Sequence, residues 1–254
     1  MTGTDDSLRD RVVVVTGGAG GGIGSAITQR LAAAGASVVV TDLSPRRLQL
    51  VKERLGTSPA KHTFVAMDVR DEAEVAHLFD RISETYGRLD ALVNSAGINK
   101  PAMLTDLDLA TWHAVLDTSA TAAFLHIRAA WPLLAARGGA IVNLSSIAAW
   151  SATSLGEAHY AAAKAAILGL TKAVAAEGAP YRIRSNAVAP GLILNEHLGK
   201  AVPQPYIEAY RAMSLLEGGD PSDVADVVHF LCGDASRHIT GDTITVAGGH
   251  LARH

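Results

Sequence analysis

Tyr160 and Lys164 stand four residues apart, so on a helix both project from one face. A phenol is a poor acid or base at neutral pH, with a reference pKa of about 10. An ammonium beside it favours the phenolate and lowers that value, which lets the hydroxyl give or take a proton. Ser146 lies 14 residues upstream, at the end of an expected strand, where its hydroxyl can donate to a carbonyl or alkoxide oxygen. Ser145 is the neighbouring candidate. Taken alone, the Tyr160–Lys164 spacing also fits an ordinary amphipathic helix. The rest of the chain decides between the two.

A hydride carrier is signalled near the other end. The β-branched run of residues 11–16 leads directly into Thr16-Gly17-Gly18-Ala19-Gly20-Gly21-Gly22-Ile23-Gly24, and a helix opens at once. Glycines there let backbone approach a pyrophosphate, and the helix N-terminus presents amides and positive dipole to it. Gly17, Gly21, Gly22, Ile23 and Gly24 are the candidates for that contact. Asp42 ends the second expected strand 18 residues after Gly24, with Leu43 beside it. A carboxylate at this place accepts from both ribose hydroxyls and repels a 2′-phosphate, which favours NAD over NADP. A helix N-cap or an Asx turn before Pro45 is the plainer explanation of Asp42. Arg46 and Arg47 follow and read as solvated.

The 254-residue chain is 48% hydrophobic and 19% charged, a balance that suits one α/β domain over residues 1–254. Its net charge of −3 carries no basic footprint for nucleic acid. The single cysteine, Cys232, lies in an apolar run and reads as a buried, inert thiol. No apolar leader and no membrane-length apolar run is visible, so a cytoplasmic protein is expected. The ten histidines form no metal-like cluster, and no metal site is expected.

Short β-branched runs at 11–16, 36–41, 62–67, 89–94, 140–144, 183–188 and 243–246 alternate with helical stretches. The helices are expected from the glycine loop to 34, and at 45–55, 71–86, 107–136, 159–178 and 221–232, the fourth broken near Thr118. That alternation implies a doubly wound parallel sheet of about seven strands with helices on both faces. Residues 190–217 interrupt it, carry Pro203 and Pro205, and fit either a substrate lid or a plain surface excursion.

In motif order the chain resembles the classical short-chain dehydrogenase/reductase family over nearly all its length. After the glycine loop come Asp68-Val69, similar to the pair that contacts the adenine, and Asn94-Ser95-Ala96-Gly97, similar to the family's NNAG. Ser146 and Tyr160-Ala161-Ala162-Ala163-Lys164 resemble the catalytic segment. Asn186 to Gly191, with Pro190, resembles the strand and turn beside the nicotinamide, and 239–249 resembles the closing segment. The resemblance implies a Rossmann-like fold, NAD as cofactor, and hydride transfer to or from a secondary alcohol or ketone. It implies that Lys164 also binds the nicotinamide ribose, and that the protein is a homotetramer built through residues 107–136, 159–178 and the last strand.

Four departures bear on these roles. The glycine loop is one residue longer than the family's TGxxxGxG. Ser119 falls where the family has an asparagine whose backbone holds a relay water; a simple helix kink explains it equally well. Asn195 stands where a threonine approaches the nicotinamide, with Ile193 before it as a backbone donor, and Ala149 replaces a frequent glycine. Trp150 is equally a pocket wall and a packing residue. The stretches 98–103, 147–156 and 192–206 carry few charges, so an uncharged or partly apolar substrate is expected. An NADPH-dependent 3-oxoacyl-carrier-protein reductase, an epimerase or dehydratase that keeps its NAD, and a non-enzymatic NAD-binding protein are the competing readings.

Overall fold

The computed structural model describes residues 6–56, 60–151, 155–194 and 204–253. The strands are β1 (Val12–Thr16), β2 (Ser37–Asp42), β3 (Thr63–Ala66), β4 (Ala91–Asn94), β5 (Gly139–Leu144), β6 (Ile183–Pro190) and β7 (Thr243–Val246). They form one parallel sheet in the order β3-β2-β1-β4-β5-β6-β7. The helices are α1 (Ile23–Ala33), α2 (Pro45–Leu55), α3 (Glu72–Tyr86), α4 (Leu109–Leu116), α5 (Ala122–Ala135), α6 (Ala158–Gly178), α7 (Gln204–Met213) and α8 (Pro221–Cys232). Among the described residues no helix is long and apolar enough to cross a membrane.

Because strand side chains alternate between faces, the valine runs feed two cores at once. Val13 and Val15 enter the core under α1, α2 and α8, where Ile27, Leu31, Leu48, Val224 and Leu231 meet them. Val12 and Val14 enter the other, against Val75, Leu78 and Phe79 of α3 and Leu125 and Leu134 of α5. His126 of α5 is fully buried there; burial pulls its pKa down to about 4, so it packs neutral against Phe79, its Nδ1 2.9 Å from the Ala122 carbonyl.

Local chemistry sets the helix ends. Ser44 accepts from the Arg47 amide at 3.3 Å with Pro45 at the first helical position, and Asp71 accepts from Ala73 and Glu74. Gly87, at φ 64°, closes α3 in the left-handed region. Asp220 and Asp223 form a reciprocal capping box on α8.

The sheet order reverses at β1, which has β2 on one side and β4 on the other. A crevice therefore opens beyond the carboxyl ends of these strands, where ligands bind in this class of sheet. Between α4 and α5 the helix widens into a single π turn, Asp117–Thr121, at the place where the sequence suggests a break. The segment 190–217 contains α7, a helix its irregular sequence does not announce.

Candidate active site

The glycine loop is built by close approach. Gly17 sits at φ +62°, and a β-carbon on it would lie 2.9 Å from the Ala96 Cα. One on Gly24 would lie 2.2 Å from the Gly17 carbonyl oxygen. The Thr16 hydroxyl accepts from the Ser95 and Ala96 amides at 3.0 and 3.1 Å, fastening the loop after β4 to the end of β1. The longer loop folds on itself: the Gly20 amide donates to Gly17 O at 3.2 Å and the Gly22 amide to Gly20 O at 2.8 Å. Gly22 is the N-cap of α1, and no side chain caps that end.

Beside the loop lies a cavity of about 410 Å³. Gly17, Asp42, Leu43, Asp68, Val69, Ala96 and Gly97, all singled out from sequence, line it. Gly20 also lines it, whereas Gly21, Gly22, Ile23, Gly24 and Asn94 do not; they shape the loop and strand behind it. Gly20 is not singled out by sequence because the three adjacent glycines Gly20, Gly21 and Gly22 look alike.

Asp42 is 4% exposed and its Oδ1 accepts from the Ser44 amide at 2.9 Å, so the Asx turn and the cavity wall are both real. Arg47 is not simply solvated. Its Nε and Nη2 donate to Asp42 Oδ1 at 3.0 and 2.8 Å, from a side chain half exposed. Across the cavity Arg70 pairs with Asp68 at 2.6 Å, a hydrogen bond that holds the Asp68 carboxyl below its usual pKa. Lys100 also lines the cavity. Lys100 falls in the 98–103 stretch expected at the pocket, whereas Arg70 is not announced by sequence; only its spacing to Asp68, which makes an Asx turn at 3.0 Å, could have drawn attention.

The chemistry-bearing side chains converge beyond β4 and β5. Ser146 lies close enough to the Tyr160 hydroxyl to lower its pKa, and the Ser146 oxygen accepts from the Ala148 amide at 3.2 Å. Lys164 is 5% exposed; its Nζ donates to Leu144 O at 2.8 Å and stands 5.6 Å from the Tyr160 ring centre. Ser145 donates to Lys164 O at 2.8 Å, so it braces the lysine's helix. A β-carbon on Gly97 would lie 3.4 Å from both Lys164 Nζ and Ser119 Oγ. Ser119 sits in the π turn, 3% exposed, and its hydroxyl has no hydrogen-bond partner. Asn94 donates to Asn143 at 2.8 Å, Asn143 to Thr171 at 3.0 Å, and the Asn94 Oδ1 is left without a partner.

Burial pushes the Tyr160 phenol up to about 12; the Ser146 hydrogen bond opposes that rise and the Glu157 carboxylate adds to it. In this arrangement burial outweighs the lowering expected from Lys164, whose Nζ is aimed at a backbone carbonyl. Burial also pulls Lys164 from 10.5 down to about 8. Between those values the unfolded chain holds a proton that the folded chain has released, so this lysine's contribution to stability rises with pH there and is lost as pH falls through 8. Urea unfolding at pH 8 and pH 9 is expected to show wild type gaining about 1 kcal/mol on Lys164→Met. Parallel pH dependence of the two proteins would contradict it.

The remaining candidates lie further along. Pro190 ends β6, the Gly191 amide donates to Val246 O at 2.9 Å, and Ile193 bridges to Gly219. None of the three lines the cavity beside the glycine loop. Asn195 lies outside the described residues. His159 is buried with Nε2 3.0 Å from Lys100 O, away from catalysis as its helix position suggests. Trp150 is half exposed. The Cys232 thiol is buried and pushed up to about 12 by that burial, an inert group. Among the described residues no cluster of metal-ligating side chains is present.

The family model described as enoyl-(acyl carrier protein) reductase matches residues 18–250. The chain is 38% identical over 249 residues to the (5R,7aS)-5-hydroxy-7a-methyl-1-oxo-2,3,5,6,7,7a-hexahydro-1H-indene-carboxyl-CoA reductase of Mycobacterium tuberculosis, covering 96% of this chain and 94% of that protein. It is 36% identical to the 3-oxoacyl-(acyl-carrier-protein) reductase of Thermotoga maritima, covering 95% and 98%. Among solved structures, one described as a short-chain alcohol dehydrogenase from Sinorhizobium meliloti superposes with a TM-score of 0.91 at 35% identity, covering 98% of this chain and 99% of that one. With the glycine cradle, the Ser146–Tyr160–Lys164 cluster and matches that run almost end to end, the chain belongs to the short-chain dehydrogenase/reductase family of nicotinamide-dependent oxidoreductases.

Proposed function

We propose that this protein is an NAD(H)-dependent oxidoreductase that interconverts a secondary alcohol and its ketone, with Tyr160 as acid–base. The observation that carries the cofactor choice is Asp42, a carboxylate on the cavity wall at the end of β2. A ribose 2′-phosphate there would meet a negative charge, whereas two hydroxyls would find an acceptor. The residues fit a dinucleotide: Gly17 and Gly24 leave no room for a side chain, α1 begins uncapped, and Ser119 Oγ and Asn94 Oδ1 are buried polar atoms without partners.

When bound, the nicotinamide supplies or accepts the hydride. The protein moves the proton. Tyr160, pushed up to about 12, holds its proton at neutral pH and can donate it to a ketone oxygen. Ser146, beside that phenol, can donate to the same oxygen. Lys164 would hold the nicotinamide ribose, and an ammonium there would favour the phenolate left after proton transfer. Ser119 continues the proton path from Lys164. Residues 190–217, with α7, act as the lid within one domain, and the protein assembles as a homotetramer through α4, α5, α6 and β7. Exposed Leu109 and Phe124 supply apolar surface for that contact.

Arg47 favours a second reading. A guanidinium already at Asp42 could turn to a 2′-phosphate, and the curated relatives above are named as reductases of acyl-CoA and acyl-carrier substrates. Nicotinamide absorbance should be followed with NADH and with NADPH against a panel of 3-oxoacyl thioesters and cyclic ketones. NADH oxidation with at least one ketone is the expected result. Turnover with neither nucleotide on the whole panel would leave a non-enzymatic NAD-binding protein.

A further inference from the structure

All the chemistry above lies at the carboxyl ends of the strands. In a parallel sheet the amino ends form the opposite pole, and there a second cleft of about 380 Å³ opens. Arg11 and Asp90 stand just before β1 and β4, Arg137 after α5, Arg182 just before β6, and Arg184 within it. With Arg9 and Arg88, six arginines line this cleft against three lining aspartates and Asp6, the partner of Arg9, in a chain whose net charge is −3.

Some of that charge is already matched. Arg9 pairs with Asp6, Arg11 with Asp234 at 2.6 Å and Arg88 with Asp90 at 2.5 Å. Arg184 instead donates to three neutral oxygens, Ser236 Oγ, Leu231 O and Gly233 O, at 3.0, 2.9 and 3.2 Å. Burial pulls Arg184 below its usual pKa, and the like charge of Arg11 adds to that against Asp234. Arg137 and Arg182 have no carboxylate partner among the described residues. They follow the ends of α5 and α6, and a helix C-terminus carries roughly half a negative charge. That accounts for one cation at each end, not for Arg184, a third guanidinium at the same cleft whose partners are neutral oxygens.

The backbone points the same way. Among the described residues only two non-glycine residues adopt positive φ, Asp10 at 62° and Arg182 at 60°, and both line this cleft. Such conformations are costly and gather where a side chain must be presented to a ligand. Gly138, at φ 80°, makes room for Arg182: a β-carbon there would lie 2.9 Å from Arg182 O.

We propose that this cleft is a binding site for a small ligand carrying a chain of two or more phosphates, separate from the dinucleotide site. Planar guanidiniums match phosphate oxygens two at a time, and the volume is that of a small-ligand pocket. The site is independent of which nicotinamide the enzyme prefers.

The test is calorimetric titration of the full-length protein at fixed ionic strength, saturated with NADH and then separately with NADPH, using inorganic pyrophosphate and ADP as probes. Saturable binding that survives the excess nicotinamide nucleotide is expected. Arg182→Gly keeps the left-handed turn while removing the guanidinium, and Arg137→Ala changes an exposed position, so both should fold and retain activity. Each should weaken binding about tenfold, the effect of one lost charge-assisted contact. Tighter binding of ADP than of pyrophosphate assigns a nucleotide; equal binding assigns the phosphate chain alone. No saturable binding, displacement by the nicotinamide nucleotide, or undiminished binding in both variants would each overturn the proposal.

Discussion

Tyr160→Phe should lower kcat by about 10³-fold, within the 10²–10⁴ range of a lost proton-transfer group, while nucleotide affinity stays within about twofold. The substitution removes one oxygen from a partly exposed ring and leaves its packing against Lys164 in place. The hydroxyl is the group that stands beside Ser146, where both can reach the substrate oxygen. Steady-state rates and a nucleotide titration on the same preparation separate the two effects. A variant that keeps a tenth or more of wild-type kcat would show that another group moves the proton. Ser146 would be the first suspect.

The second large effect belongs to the glycine loop. Gly24→Ala should weaken nicotinamide nucleotide binding by roughly 100-fold, about 2.7 kcal/mol, and destabilise the fold by about 1–3 kcal/mol. Its β-carbon would stand 2.2 Å from the Gly17 carbonyl, and both atoms belong to backbone that cannot rotate away. Gly20→Ala in the same loop meets only Gly17 O, at 3.5 Å, and should fold as wild type does. Fluorescence titration and thermal unfolding of the pair check this. Equal behaviour of the two variants would mean that close approach in the loop is not what holds the nucleotide.

Much of this architecture is legible in sequence because the sheet is buried on both faces. Continuous valine runs such as 12–15 and 38–40 have no polar alternation to confuse the reading, and all seven strands fall within two residues of expectation. The break near Thr118 is legible for a related reason: Asp117, Thr118 and Ser119 compete for backbone hydrogen bonds, and Thr118 does donate to Ala114 O at 2.7 Å. The helix α7 is not legible. Its apolar pattern is short, and Pro205 looks like a breaker until it is placed in the first turn, where proline is tolerated.

Side-chain partners at the site were harder still. Whether Arg47 reaches water or Asp42, and whether Lys164 faces Tyr160 or Leu144 O, depends on rotamers that spacing does not specify. The same holds for the burial that pushes Tyr160 and Lys164 in opposite directions from what two free side chains would show. Residue types and order locate such a site; packing sets its protonation.

The most direct measurement is a paired titration of the purified protein with NADH and NADPH, following nicotinamide fluorescence, for wild type and Asp42→Ala. The expected result is preference for NADH in wild type and loss of most of that preference, about tenfold, in the variant, since one carboxylate is removed from the ribose wall. Preference of the wild type for NADPH would contradict the reading of Asp42 and assign Arg47 to a 2′-phosphate.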